Sequence, residues 1–576
     1  MSKKLWIIMS LVAILTMSVG CGTQTAAPTT SAPAAEEPTA APTEEPADAE
    51  EPAATEEPAT AEEPAASDEK VTMTIGIASD PDTLNALVSN EINTSLMLNN
   101  TYPTLYVMDE NANKVPYIIE EPEISDDGLT VTIRVKDGLH WTDGEPITAE
   151  DIVWTYNAVY EGKFQWTYTV LEGITWEATD ERTVVFKLSE PFPKFITQIG
   201  FWVRIVPSHI WSQAEDVESF IDESFVGFGP FKFVDYQTGE YYRMERVEDF
   251  PFAPTDDKPY VDTLIFKPYP DPNTLVLALK TGDIDVAARP LTTDAAAELE
   301  GSTDVTLERA IDLGYEHMHF NMSQPLLSDV VVRKAIAMTV DRDKIVNFAY
   351  GGNAEPMPGP ISPIYKEFDY GIYYPAFDIE GAKALLAENG YEDTDGDGIV
   401  NAPSGENLSF ELIYAVNYVE HEKIAAIIAE DAKQAGIELI PKGLDKPVQL
   451  EQLYKDDEGN NSYQISINTW GIIDDVESAM TDLYLPESTL NWMHWNNPKA
   501  VEAMLAMRSA SDPAVIEENM RIFQTEITKD IPDVSLVVKG NIFAHRNNFA
   551  GFTVYPDDLL GLVTPQNMWS VYKVTD

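Results

Sequence analysis

The sequence predicts an α/β fold with at least two lobes, and three observations support this prediction. The chain has 576 residues, which is enough for two or more hydrophobic cores. Strand and helix patterns alternate from Phe410 to Thr469, as in a parallel sheet covered by helices. The stretch Leu313–Asn353 adds a strand, a connecting loop and a pair of short helices. We therefore expect lobes built from mixed strands and helices.

The first residues have the pattern of a signal peptide. Two lysines precede an apolar run at residues 5–17, which is short for a bilayer span but typical of a secretory signal. The only cysteine, Cys21, follows the small residues that end this region, and the arrangement resembles a bacterial lipobox. That resemblance implies cleavage before Cys21 and a diacylglycerol group on its sulfur, although Ser18 stands where leucine is usual. The alternative is an ordinary signal peptide with an incidental cysteine.

The composition and net charge limit the kinds of partner and metal site that the chain can have. Residues 22–69 contain proline, alanine, threonine and glutamate without large apolar side chains, so they predict a disordered tether. The net charge of −60 argues against nucleic acid or anionic lipid head groups as the main partner, because the field would repel them. A single cysteine excludes an internal disulfide and a cysteine-based zinc cluster.

Several motifs follow one another along the rest of the chain. The segment 313–353 contains FN, VR, AI and DR pairs, and the segment 135–157 reads VKDGLHWTDGEPITAEDIVWTYN. GFGPFKF stands at 227–233 and KTGDID at 280–285. These motifs resemble those of the family 5 extracytoplasmic solute-binding proteins, which are the oligopeptide, dipeptide and nickel receptors of ABC importers. The resemblance runs from about residue 71 to residue 538.

The resemblance implies a two-lobed fold of the periplasmic-binding-protein type II (cluster C) kind, with a small extra domain and a hinge. The implied order is a signal peptide at 1–20, a lipidated cysteine and tether at 21–70, the first lobe at 71–112, a small additional domain at 113–205, the first lobe again at 206–320, the second lobe at 321–530 and a return to the first lobe at 531–576. We expect a helix at 91–105, Trp141 in a core, and two late strands at 534–538 and 541–546.

The best candidate for a solute contact is the loop WGIIDD at 470–475, because α/β lobes bind ligands at the carboxyl ends of strands. It resembles a family loop in which the tryptophan packs on the ligand and an aspartate three residues later takes a peptide's α-ammonium group. Ile473 holds that position here, so Asp474 and Asp475 are the candidate cation partners beside Trp470. The alternative is a surface loop with capping aspartates. Two more aromatic residues are candidates for the cleft: Tyr102 and Trp495.

The resemblance implies a monomeric, lipid-anchored receptor outside the cytoplasmic membrane, which closes on a peptide and passes it to a membrane permease. Because the family's carboxylate is displaced here, an oligosaccharide stacked on Trp470 is an alternative solute. We expect no catalysis and no required cofactor. A glycoside hydrolase is a further alternative, since two catalytic carboxylates would not stand out in so acidic a chain. A nickel site at His317 and His319 would lack a third ligand, and HEKIA at 421–425 does not complete a metalloprotease HExxH motif.

An acidic turn adds one metal candidate. Asp393, Asp395 and Asp397 alternate around Gly396, the pattern with which a loop wraps oxygen ligands around calcium. An EF-hand would need glutamate where this chain has Ser404, and a strand pattern follows instead of a helix. The pattern leaves two interpretations, a Ca²⁺ loop or a solvated turn.

Overall fold

The fold is built around one long mixed sheet. A computed structural model describes residues 70–89, 91–110, 113–165, 167–192, 194–253, 259–455, 459–471, 476–555 and 561–574. The predicted signal peptide, Cys21 and most of the tether lie outside these residues. None of the helices within them is long and apolar enough to cross a membrane.

The strands in chain order are β1 (Thr72–Ile77), β2 (Tyr106–Met108), β3 (Lys114–Pro116), β4 (Glu123–Ile124), β5 (Thr130–Arg134), β6 (Ile174–Ala178), β7 (Thr183–Leu188), β8 (Phe231–Gln237), β9 (Tyr241–Arg246), β10 (Thr263–Pro268), β11 (Val286–Ala287), β12 (Val305–Ile311), β13 (Tyr315–Phe320), β14 (Ala354–Pro356), β15 (Ser409–Ala415), β16 (Glu438–Leu444), β17 (Ile465–Trp470), β18 (Asp533–Arg546), β19 (Phe549–Ala550) and β20 (Tyr572–Lys573).

The helices are α1 (Ile92–Leu98), α2 (Ala149–Gly162), α3 (Phe195–Trp202), α4 (Ser208–Trp211), α5 (Pro272–Thr281), α6 (Thr293–Ala297), α7 (Val330–Ala337), α8 (Arg342–Ala349), α9 (Ile379–Glu388), α10 (Val419–Gln434), α11 (Lys446–Leu453), α12 (Val476–Tyr484), α13 (Pro498–Ser509), α14 (Pro513–Asp530) and α15 (Pro565–Ser570). Several begin after an aspartate whose carboxylate accepts a backbone N–H of the first turn: Asp271, Asp329, Asp341, Asp378 and Asp512.

The main sheet runs in the order β16-β15-β17-β13-β18-β11-β1-β10-β9-β8, and β12 and β14 also pair with β18. Strand β15 is parallel to both β16 and β17, which confirms the predicted strand–helix alternation. Strand β13 runs antiparallel to β17 and β18. A separate sheet, β4-β5-β7-β6, lies within the predicted small domain, whose boundaries stay a prediction.

The strands at the two ends of the main sheet belong to different lobes. In the first lobe, β1 and β8–β10 pack into one core, and β11, α5 and α6 form a second around Leu279. In the second lobe, β13 and β15–β17 separate a core around Phe320 from a core around Tyr315. Strand β13 thus packs with the second lobe, although the predicted first lobe extends to residue 320. The side chains of β13 alternate between these two cores, and both faces of the strand are buried. Two-sided burial is what a central strand between helical layers requires.

The predicted pair of late strands is wrong, because β18 is one continuous strand from Asp533 to Arg546. Its first half pairs with β13, and its second half pairs with β12. Gly540 lies where the strand passes from one lobe to the other. A side chain there would meet the Asn353 amide oxygen at 2.6 Å, so the glycine admits a close neighbour without ending the strand.

The predicted helix at 91–105 is too long, because α1 ends at Leu98. Pro103 cannot donate a helical hydrogen bond and disfavours helical backbone before it, so the chain turns away. The prediction that Trp141 is a core residue is confirmed. Its ring is buried and its Nε1–H donates to Asp151, whose carboxylate also accepts the Thr148 N–H at the start of α2.

Candidate functional site

The carboxyl ends of the parallel strands in the second lobe meet where the chain passes between the lobes. Strand β17 ends at Trp470, which pairs with Tyr315 at the beginning of β13. Because β15 and β16 run parallel to β17, the residues that follow them lie along the same edge. We refer to the residues at this edge as the carboxyl-edge site. Parallel sheets bind ligands at such an edge.

Two strands cross between the lobes beside the carboxyl-edge site, and an ion pair joins them. Asp312, just before β13, donates its N–H to the Lys539 carbonyl at 3.0 Å and accepts the Lys539 ammonium at 3.0 Å. Gly314 follows, and a side chain there would meet the Trp470 carbonyl at 2.6 Å. The backbone at Gly314 therefore packs closely against the backbone of Trp470, and this contact fixes the position of Trp470.

A buried hydrogen-bonded trio lies under this edge. His421 Nε2 and Thr469 Oγ1 each lie 2.8 Å from the same carboxylate oxygen of Glu316. Burial alone would raise the pKa of Glu316, but the hydrogen bonds from His421 and Thr469 outweigh it, and the pKa lies below its ordinary value of 4.5. The trio therefore holds an ionised carboxylate inside the second lobe.

The carboxyl-edge site also offers polar atoms to a solute. The Trp470 Nε1 and the His421 Nδ1 are buried and have no hydrogen-bond partner among the described residues. A buried polar atom without a partner is costly, so these atoms are well placed to gain from a ligand. Lys446 follows β16, lies 5.6 Å from the Tyr418 ring centre, and has its pKa lowered from 10.5 by burial. Its ammonium adds a cation to the same edge.

The two lobes touch each other away from the strand crossing. Lys194, at the beginning of α3 in the predicted small domain, lies 2.7 Å from the Glu477 carboxylate of α12 in the second lobe. The small domain shares one hydrophobic core with the first lobe, so this pair joins the first-lobe side of the molecule to the second lobe. The Arg508 guanidinium lies 5.0 Å from the ring centre of Phe192. The Glu477 side chain is only 5% exposed. We refer to these two contacts as the interlobe latch. These two contacts hold the lobes together.

The predicted site residues lie in different surroundings. Trp470 is half-buried at the strand end, whereas Asp474 and Asp475 lie outside the described residues. Tyr102 is buried and packs edge-on against Trp211. Trp495 is buried, and its Nε1–H donates to Asp530 at 3.0 Å. Tyr102 and Trp495 therefore belong to hydrophobic cores, and their contact with a solute stays a prediction.

The acidic turn is exposed, and its carboxylates bond to their own backbone. Asp393 accepts the N–H groups of Gly396 at 2.7 Å and Gly398 at 3.0 Å. Asp397 accepts the Ile399 N–H at 2.8 Å. One oxygen from each of Asp393, Asp395 and Asp397 lies within 4.8 Å of the others, so the loop could still gather a Ca²⁺ ion. Calcium binding stays a prediction.

A second group of possible metal ligands is buried, and the sequence revealed only two of its three members. His317 and His319 share one face of β13, and their rings lie 3.9 Å apart between centres. The third member is Asp533 of β18, whose carboxylate lies 3.1 Å from His317 Nδ1. Burial, followed by the charge of His317, lowers the pKa of His319 well below 6.5. The sequence could not show this group because Asp533 lies 216 positions from His317.

The comparisons with known proteins agree with this architecture. The chain is 28% identical over 500 residues to the oligopeptide-binding protein AppA of Bacillus subtilis, covering 84% of this chain and 89% of that protein. It is 21% identical over 496 residues to the glutathione-binding protein GsiB of Escherichia coli K12, covering 84% and 92%. The crystal structure of the ABC transporter substrate-binding protein CtaP from Listeria monocytogenes matches with a TM-score of 0.74 at 26% identity, covering 88% of this chain and all of that chain.

A sequence profile identifies the family. The profile for the middle region of the bacterial extracellular solute-binding proteins, family 5, matches residues 113–491, which is more than half of the chain. The two-lobed fold predicted from the sequence is confirmed by the structural match. The proteins of this family bind solutes and are not enzymes, so the expected absence of catalysis is confirmed, and the chain belongs to the bacterial extracellular solute-binding proteins of family 5.

Proposed function

We propose that this chain is the substrate-binding lipoprotein of an ABC importer, that it captures a peptide between its lobes, and that it delivers the peptide to a membrane permease. The observation that carries this proposal is the carboxyl-edge site, where Trp470 and unpartnered polar atoms lie beside the strand crossing. The interlobe latch supports closure over a bound solute. The relative AppA is named for oligopeptide binding, which favours a peptide over other solutes.

A peptide suits the groups at this edge. The main-chain amides of an extended peptide can hydrogen bond to the Trp470 indole and the His421 imidazole, whose free nitrogens lack partners among the described residues. Lys446 is the candidate partner for a peptide carboxylate, because it supplies a half-buried ammonium at the same edge. Asp474 and Asp475 are the candidate partners for its α-ammonium group.

The test is binding of defined solutes to the full chain after it has been unfolded, washed free of any solute and refolded. Di- to hexapeptides and cello-oligosaccharides are screened by thermal shift, and the hits are measured by calorimetry. Binding of peptides would support the proposal. Binding of cello-oligosaccharides alone would instead support the sugar alternative, in which Trp470 stacks on a ring.

A matched pair of tryptophans locates the site. Trp470 and Trp176 are both half-buried and both have an unpartnered Nε1 among the described residues, but Trp176 lies in the small sheet. Trp470→Phe should weaken binding roughly 2- to 12-fold, the loss of a hydrogen bond of about 0.5–1.5 kcal/mol, while Trp176→Phe should have no effect. Equal effects of the two changes would contradict a site at this edge.

The membrane anchor is a separate part of the proposal. The family is extracellular or periplasmic, and we propose that a diacylglycerol on Cys21 holds the receptor at the outer face of the cytoplasmic membrane. The tether at 22–69 would let a monomeric receptor reach the permease. Labelling cells with radioactive palmitate tests this: the unaltered chain should take up label, and Cys21→Ala should not. Labelled Cys21→Ala protein would exclude the lipid anchor.

A further inference from the structure

The cluster of His317, His319 and Asp533 is fully buried and lies in the second lobe, on the face of β13 that also carries Tyr315. None of its three side chains belongs to the carboxyl-edge site or to the interlobe latch. His319 Nε2 lies 3.1 Å from His317 Nδ1, and His317 Nδ1 lies 3.1 Å from Asp533 Oδ2. Three ligand atoms thus converge from two neighbouring strands.

These spacings fit a metal ion. Nitrogen and oxygen ligands at about 2.0–2.1 Å from a tetrahedral Zn²⁺ stand about 3.3 Å apart, so each of the two 3.1 Å spacings is within a few tenths of an ångström of that value, and all three ligand atoms lie within 4.8 Å of one another. A hydrogen bond explains the histidine pair less well. His319 Nε2 lies 2.8 Å from His317 Nε2 as well as 3.1 Å from Nδ1, and a single N–H points along one lone pair only.

The surroundings of the cluster resemble the outer shell of a metal site. The Tyr484 hydroxyl donates to Asp533 Oδ2 at 2.6 Å, and the Tyr374 hydroxyl donates to Asp533 Oδ1 at 2.9 Å. Outer-shell hydrogen bonds of this kind fix the orientation of a ligating carboxylate. On the other side, the Asn468 amide lies 3.4 Å from His319 Nδ1, and its buried Oδ1 has no partner among the described residues. An amide oxygen turned toward that nitrogen would accept the N–H that a metal-bound His319 carries there.

We propose that His317, His319 and Asp533 bind one divalent first-row transition-metal ion, of the class of zinc, nickel and cobalt, at a structural site separate from the solute cleft. Two imidazoles and one carboxylate are the ligand set that such ions prefer, whereas Ca²⁺ and Mg²⁺ prefer oxygen alone. Because the three side chains are fully buried, the ion enters as the chain folds and links β13 to β18.

The test uses cobalt as a spectroscopic probe. The full chain, without an affinity tag, is unfolded in guanidinium chloride with a chelator, then refolded with one equivalent of Co²⁺ and desalted. We expect one retained ion per chain, a visible d–d band distinct from that of aqueous Co²⁺, and a higher melting temperature than that of the metal-free chain. An excess of nickel or zinc present during refolding should compete with the cobalt for the site. A chain that folds without retaining metal and shows no band would overturn the proposal.

Variants assign the ligands. His319→Gln and Asp533→Asn should each weaken retention of cobalt by at least about tenfold, and Tyr484→Phe, which removes an outer-shell bond, by about tenfold. His545→Gln is the control, because His545 is also buried beside a carboxylate, that of Glu308, but lies outside the cluster. Equal retention in His319→Gln and in the control would overturn the assignment.

Two further measurements keep the test decisive. Should a ligand variant fail to fold, the spectrum and metal-dependent melting of the unaltered chain still decide, because both report on the native cluster. Trp470→Phe should retain its metal, so that failure of solute binding and failure of the metal site can be told apart.

Discussion

The central strands of the two lobes bury different kinds of side chain. In the first lobe, the fully buried residues of β1 and β10 are apolar: Met73, Ile75, Ile77, Leu264 and Phe266. In the second lobe, β13 and the first half of β18 bury ionisable and polar groups beside apolar ones: Glu316, His317, His319, Asp533 and Ser535. Polar burial costs free energy unless every group is paired, so it stabilises less than apolar packing does. The central strands of the first lobe are therefore apolar, whereas those of the second lobe bury the polar and ionisable groups beside the proposed site.

The largest expected effect tests whether the first lobe depends on its apolar central strands. Phe266→Ala should destabilise the chain by about 3–5 kcal/mol, because it removes a fully buried ring from the first lobe and leaves a cavity. Denaturant unfolding measures the change. Val234→Ala, on an exposed position of β8 in the same sheet, should stay within about 0.5 kcal/mol. A small loss for Phe266→Ala would show that the first lobe does not depend on its apolar strands.

The second effect concerns the buried carboxylate of Glu316, whose pKa is lowered in the folded chain. Its contribution to stability is present above pH 4.5, the ordinary value, and is lost as the pH falls through the folded pKa. Glu316→Gln should cost about 1–3 kcal/mol near neutral pH and should flatten the fall in melting temperature as the pH drops below 4.5. Parallel pH profiles for the variant and the unaltered chain would contradict this assignment.

The control for that profile is a glutamate in an exposed ion pair. Glu517 pairs with Arg521 on α14, and both side chains are about half exposed, at 56% and 48%. Glu517→Gln should leave the stability and its pH dependence almost unchanged, because water screens such pairs.

Much of the fold could be predicted because its signals are local. A helix that begins after Asp329 or Asp378 follows from a capping carboxylate and an apolar stripe within a few residues. Pairing between distant segments leaves no such signal. The sequence predicted two strands, at 534–538 and 541–546, yet the structure continues through Gly540, which exchanges hydrogen bonds with the distant Asn353.

The third effect tests closure of the two lobes. Lys194→Met removes the ammonium from the nearly buried Glu477 and should weaken solute binding about 5- to 30-fold, or about 1–2 kcal/mol, by favouring the open form. Calorimetry measures the affinity, and small-angle scattering should show a larger radius of gyration without solute. Lys187→Met, which breaks an exposed pair with Glu177, is the control. Equal affinities in both variants would show that the latch does not govern closure.

The smallest effect concerns the acidic turn. We propose that Asp393, Asp395 and Asp397 bind Ca²⁺ weakly, since the loop is exposed and its carboxylates already accept backbone hydrogen bonds. At about ten times the dissociation constant, Ca²⁺ should stabilise the chain by about 1.4 kcal/mol, which corresponds to roughly 1–2 °C in a chain of this size. Asp395→Asn should abolish the shift. An unchanged melting temperature after adding Ca²⁺ to the chelated protein would exclude the site.

The candidate site was only partly predictable, for a physical reason. Trp470 could be found because it ends a strand with a clear pattern and α/β lobes bind ligands there. Glu316 and His421 could not, because their role depends on a contact 105 positions apart in the chain. In the sequence, His421 suggested only an incomplete metalloprotease motif. The latch between Lys194 and Glu477 was hidden for the same reason, since surface charges look alike until the lobes are placed together.

The continuous strand β18 has a consequence for how the protein is made. Neither half of the main sheet is complete without β18, because β13 pairs with the beginning of this strand and β12 pairs with its end. In a nascent chain that lacks these residues, β12 and β13 have unpaired backbone groups along one edge, so neither half of the sheet can complete its folding alone. This order of events suits a secreted protein. The polypeptide cannot complete its fold until almost all of it has passed through an export channel, and both halves then fold together.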